Sequence, residues 1–200
     1  MSTSSIAFEE DDFGWSLPAR GTVGMYCLIA AEAAIFTIFV VAYIFYIGKS
    51  ATGPQPRDVL HVPIFLTICL LSSSLTIHFA VRLLKSGRVI SFALWWTLTI
   101  LLGAIFLAGT FREWRHLILD EGLTIQTNLF GTTYYSLVGL HAFHVTMGLI
   151  ALTLVAVLYF SARLRRDHAE RLDVLSMYWH FVDAVWAIVF TVVYLIGVSR

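Results

Sequence analysis

YYSLVGLHAFHVTMGLIALTLVAVLYFSA, residues 134–162, holds no Asp, Glu, Lys or Arg. Crossing the roughly 30 Å hydrocarbon core of a bilayer takes about 20 apolar residues in a helix. The stretch exceeds that length, so it reads as a transmembrane helix. Four further segments meet the same test: 21–47, 62–84, 89–111 and 177–198. The expected fold is therefore all-α, an integral membrane bundle of five transmembrane helices over 21–200, preceded by a polar tail over 1–20. The composition agrees, with 58% hydrophobic residues, 13% charged and a mean hydropathy of +0.81. Soluble domains do not combine these values.

Working outward, the cations give an orientation. With the N-terminus cytoplasmic, the inside segments carry Arg20, Arg82, Lys85, Arg88, Arg163, Arg165, Arg166 and Arg171. The outside ones carry only Lys49, Arg57, Arg112, Arg115 and Arg200. Basic residues accumulate on the cytoplasmic side, so the expectation is N-in and C-out. The first twenty residues lack a basic n-region followed by an apolar core, which predicts a first span retained as an anchor. Cys27 and Cys69 fall in different spans and read as small apolar fillers. Zero net charge and no basic surface stretch argue against nucleic acid binding.

The connections expected from these spans are about 14, four, 22 and 14 residues long, too short for a second domain. The link at 86–88 makes spans two and three antiparallel neighbours. Trp114, Tyr134 and Tyr135 suit an interfacial aromatic belt. Ala30, Ala31, Ala33, Ala34, Ser72 to Ser74, Gly139 and Ala142 are expected where helices touch, because small residues permit close approach in lipid.

Polar residues inside the spans carry the functional information. Glu32 lies about 16 Å along span one, near mid-depth. An ionised carboxylate there costs several kcal/mol unless paired. It reads either as a proton-relay or ligand residue, or as a hydrogen-bonded acid fixing two helices, with His144 of span four the first candidate partner. His141 and His144, at i and i+3, project from one helix face. His78 and His180 share a depth near the inner face but supply only one axial set for a haem. His180 and Asp183 form a second i, i+3 pair, either lining a polar cleft or ending a helix near headgroups. No nucleophile–base pair, phosphate loop or metal ligand set is legible, so no catalytic, cofactor or metal residue is assigned.

Six strings now stand in order along the chain: GMYCLIAAE (24–32), SSSLTIH (72–78), EW (113–114) with GLT (122–124), FGTTYY (130–135), GLHAFHVTMG (139–148) and YWHFVDAVW (178–186). Together they resemble subunit III of the haem–copper oxidases, the cytochrome c oxidase type, in its short five-helix bacterial form. The resemblance implies an accessory subunit without cofactors, beside a catalytic subunit I that holds haem and copper, with other oxidase subunits and phospholipid as further partners. It implies the bacterial inner membrane as location, and support of proton uptake, oxygen access and durability of the catalytic subunit. Glu32, His78, Glu113, His141, His144, His180 and Asp183 fall on the family's motif positions. Arg82, Arg163, Arg165, Arg166 and Arg171 become expected lipid-headgroup contacts. Val81 with Arg82 replaces a histidine pair that many members have there, and Thr110 stands where glutamine is frequent. Related subunits accompany quinol oxidases and nitric oxide reductases, so the partner stays open. In a different class stand an independent haem b cytochrome, which would show a Soret band, and a small transporter, which would usually show inverted repeats or broken helices; neither transporter sign is visible.

Overall fold

The structure, a computed structural model, describes residues 20–50, 52–161 and 169–199. Its elements are α1 (Arg20–Tyr46), α2 (Pro56–Val59), α3 (Ile64–Lys85), α4 (Val89–Leu119), α5 (Leu129–Phe160) and α6 (Ala169–Phe190). A π-helical turn, Thr191–Ile196, continues α6 into a last turn α7 (Gly197–Ser199). No strand occurs among the described residues. Five of these helices are long and apolar enough to cross a membrane, the arrangement that lets every backbone amide find its partner within its own segment.

Local chemistry sets the helix ends. Between α3 and α4 the Arg88 amide donates to the Leu83 carbonyl and the Gly87 amide to that of Leu84, both at 2.9 Å, with Gly87 at φ 77°. This is a Schellman turn, which needs a left-handed residue. It makes α3 and α4 tight antiparallel neighbours. Asn128 caps α5 by accepting from the Gly131 amide at 2.8 Å, so α5 starts five residues before the expected span. α4 runs on to Leu119. The expected 22-residue outer loop is therefore only 120–128, and the EW string lies on a helix. Likewise α6 begins at Ala169 rather than 177.

α5 and α6 form a shared wall. α3 and α4 pack on one side of it and α1 on the other, in the angle between α5 and α6. The contacts rest on tryptophans placed against glycines. A Cβ on Gly148 would lie 2.7 Å from the Trp179 ring, and one on Gly103 2.9 Å from it. Indole donors then tie helices together: Trp179 Nε1 to Ser73 Oγ at 2.8 Å, Trp186 Nε1 to Thr67 Oγ1 at 3.2 Å, and Trp96 Nε1 to the Leu152 carbonyl at 2.9 Å. Lipid is as apolar as leucine, so packing and hydrogen bonds of this kind carry the association of the helices.

Several expectations about packing need correction. Tyr134 is wholly buried and belongs to the core rather than to an interfacial belt. Ala30, Ala31 and Ala34 face outward, because α1 turns only Phe36 and Tyr43 fully inward. Cys27 is exposed rather than filling a core position, while Cys69 is buried, and both thiols are free.

Candidate functional site

Three polar clusters bridge helices inside the bundle. The first joins α1 to α5. Glu32 is twelve residues into α1, about 18 Å by helical rise, and His144 fifteen into α5, about 22 Å. Each stands near the middle of its helix. Glu32 Oε2 lies 3.0 Å from His144 Nε2. His144 Nδ1 lies 2.8 Å from the Leu140 carbonyl, and a carbonyl only accepts, so Nδ1 carries a proton. Nε2 then holds a second proton only as imidazolium; otherwise the Glu32 carboxyl donates to it. The pair thus shares one proton in a neutral or an ion-paired form. Tyr178 donates to the His144 carbonyl at 3.1 Å, and the Phe36 ring packs 5.0 Å from the imidazole.

The second cluster joins α3 to α6 through Ser74. His180 Nδ1 lies 3.0 Å from Ser74 Oγ, whose hydroxyl donates to Asp183 Oδ2 in a short contact. With Asp183 as a carboxylate, donation runs from His180 to Ser74 to Asp183. Asp183 is buried and its Oδ1 makes no hydrogen bond among the described residues. The helix-end reading of this pair is wrong, because α6 starts eleven residues before His180. Both residues face the bundle interior instead of headgroups.

The third cluster surrounds Glu113, six residues before the end of α4. Tyr194 donates to its Oε1 at 3.0 Å, and the Tyr134 hydroxyl stands 3.5 Å from the same atom. Tyr194 belongs to the π-helical turn. Such a turn rotates the side chains that follow it and is frequent at functional positions. Neither tyrosine was a sequence candidate for this contact, and no spacing in the chain pairs residues 81 apart.

His141 and His144 do not share a site. While His144 reaches α1, His141 is enclosed by aromatic rings, stacked on Trp186 at 5.0 Å and edge-on to Phe106 at 5.8 Å. Neither of its ring nitrogens has a hydrogen bond among the described residues. His78 is exposed on α3, against Phe79, and does not pair with His180 through a described hydrogen bond. Arg82 and Arg171 are exposed at the end where Lys85 and Asp173 form an ion pair at 2.6 Å. Arg163, Arg165, Arg166 and the 1–19 part of the tail lie outside the described residues. Among the described residues no three His, Cys, Asp or Glu side chains converge as metal ligands. What the clusters can do chemically is hold and share protons and tie helices together.

The cytochrome c oxidase subunit III family model matches residues 20–198. The chain is 40% identical over 185 residues to cytochrome c oxidase subunit 3 of Corynebacterium diphtheriae, covering 90% of this chain and 89% of that one. It is 33% identical over 193 residues to the protein of that name from Alkalihalophilus pseudofirmus, covering 92% and 94%. It is also similar to a quinol oxidase subunit 3 from Bacillus subtilis, 30% identical over 179 residues, covering 88% and 87%.

Proposed function

The chain belongs to the cytochrome c oxidase subunit III family, and on that premise we propose that it is the accessory, cofactor-free subunit of a haem–copper terminal oxidase in a bacterial inner membrane. Its neighbour is a catalytic subunit that holds the haem and copper. Its N-terminus faces the cytoplasm, and phospholipid covers part of its surface.

Support for a role in proton handling comes from the Glu32–His144 pair. A carboxyl and an imidazole share a proton at mid-depth, and Glu32 keeps 23% of its side-chain surface open. Anchored by His144, the carboxyl shares its proton with an imidazole, as a group that sustains proton supply to a neighbouring subunit can. The test is turnover of the assembled oxidase carrying Glu32→Gln. Expected is normal assembly with reduced proton uptake or faster loss of activity during sustained turnover. Unchanged rate and unchanged durability would leave the acid with a structural role only.

A second reading concerns the electron donor. The similarity to a quinol oxidase subunit 3 favours testing quinol beside cytochrome c as donor to the purified complex. Nitric oxide reduction by that complex is the assay for the remaining alternative.

A further inference from the structure

Glu113 and Trp114 are neighbours on α4, and both belong to one aromatic network. Tyr194 donates to Glu113 Oε1 at 3.0 Å. The Tyr134 hydroxyl stands 3.5 Å from that oxygen and 3.5 Å from the Tyr194 hydroxyl. From this tyrosine pair the rings continue in two directions. On one side the Trp186 ring centre lies 6.3 Å from that of Tyr194. On the other, Tyr134 leads to Tyr135 at 5.2 Å, and Tyr135 to Trp114 at 5.7 Å. Each of these ring steps falls within the roughly 4.5–7 Å of packed aromatic neighbours. Trp186, Tyr194 and Tyr134 are buried. Trp114 lines an apolar groove of about 610 Å³ between α4 and α5, so the run of rings extends from the core to the surface of the bundle.

Tyrosine and tryptophan are the aromatic side chains that give up one electron most readily. A phenol does so without building up charge only when its proton has an acceptor. With Glu113 ionised, the Tyr194 hydroxyl is bonded to such an acceptor. The acid also has an outlet: Glu113 lines an open groove of about 990 Å³ between the start of α3 and the last turns of α4, together with Arg112, Arg115, His116 and Asp120. Electron and proton therefore have separate routes, the rings to Trp114 and the carboxyl to this groove. We propose that Tyr194 is a redox-active tyrosine, oxidised by one electron along Trp186, Tyr134, Tyr135 and Trp114, with Glu113 as its proton acceptor. The oxidant is a high-potential one-electron oxidant of the oxygen-derived radical class. In the step the Tyr194 O–H bond breaks. Its electron reduces the oxidant, its proton forms the Glu113 carboxylic acid, and a neutral phenoxyl radical remains. One electron from a thiol or ascorbate, with return of the proton, restores the pair. None of this depends on the Glu32–His144 pair.

The experiment oxidises the purified full chain in detergent with photogenerated tris(bipyridine)ruthenium(III). The tyrosyl radical is read by electron paramagnetic resonance after freezing, and its rate of formation by transient absorbance. Tyr26 and Tyr46, both exposed, are first replaced by phenylalanine to remove competing phenols. In that background a tyrosyl signal is expected, and Tyr194→Phe should remove most of it. Glu113→Gln keeps an oxygen that accepts from Tyr194 but is no base, and should slow radical formation roughly a hundredfold. Trp114→Phe should slow it as well, because phenylalanine interrupts the chain. An undiminished signal in Tyr194→Phe would overturn the proposal, as would an unchanged rate in Glu113→Gln. An unchanged rate in Trp114→Phe would overturn the route to the surface through Tyr135. Deuterated solvent gives a test that needs no change at Tyr194 or Glu113. Radical formation should be slower there, and equal rates in the two solvents would sink the coupling of electron and proton.

Discussion

His144 Nε2 and Glu32 Oε2 stand 3.0 Å apart although 112 positions separate them in the chain. The contact ties the middle of α1, which packs in the angle between α5 and α6, to the middle of α5. Because His144 Nδ1 is committed to the Leu140 carbonyl, the proton between the two residues is the one mobile element of the pair. Structural and chemical roles of Glu32 are therefore separable by substitution.

Glu32→Gln offers an amide donor to His144 Nε2 and should leave the melting temperature of the assembled complex nearly unchanged. Glu32→Ala should cost about 1 kcal/mol, the scale of an interhelical hydrogen bond in a membrane protein. Thermal unfolding in detergent reads both. Equal stability loss in the two variants would mean that the geometry described for the pair is wrong.

Ser74→Ala removes both links of the His180–Ser74–Asp183 chain. Asp183 Oδ1 is already without a partner, so the variant leaves the whole carboxyl buried and unbonded. A destabilisation of roughly 1–3 kcal/mol is expected. Ser72→Ala, two positions away with no described hydrogen bond, should shift the melting temperature little.

Gly148→Ala places a methyl group 2.7 Å from the Trp179 ring. Overpacking of this sort costs about 1–3 kcal/mol. Gly139→Ala on the same helix meets only Trp114, at an ordinary 3.6 Å, and should stay within about 0.5 kcal/mol of the parent. Comparable melting temperatures for the two variants would contradict the slot drawn for Trp179.

Orientation is open to a direct check. Reporters that are active only in the cytoplasm should be silent when fused after Arg200 and active when placed in the 163–171 segment, given the excess of inside cations. The reverse pattern would invert the bundle and move Arg163, Arg165, Arg166 and Arg171 to the outer leaflet.

Iron and copper analysis of the purified chain, with an absorption spectrum, tests the cofactor-free reading. Both ring nitrogens of His141 are walled off by Trp186, Phe106 and Phe36, and His180 is bonded to Ser74. Stoichiometric metal or a Soret band would require ligands other than these.

The sequence by itself determined the five spans, the antiparallel α3–α4 pair and the family. Apolar length and short links are local properties, and the motif strings keep their order whatever the packing. Helix ends were less legible. The turns of α4 past Phe111 and of α6 before Met177 are amphipathic or charged, so hydropathy stops short of them while the backbone continues. Glu32 with His144 could be anticipated from matching depth alone. Which other polar groups meet was decided by tertiary structure. His141 and His144, three residues apart, part company because α5 presents one to α1 and the other to α4 and α6. Ser74 becomes the bridge to Asp183, and the π-helical turn carries Tyr194 to Glu113. Rotation about the helix axis sets these partners, and it is fixed by close packing of Trp179 against Gly103 and Gly148 on two other helices, a constraint that no single segment contains.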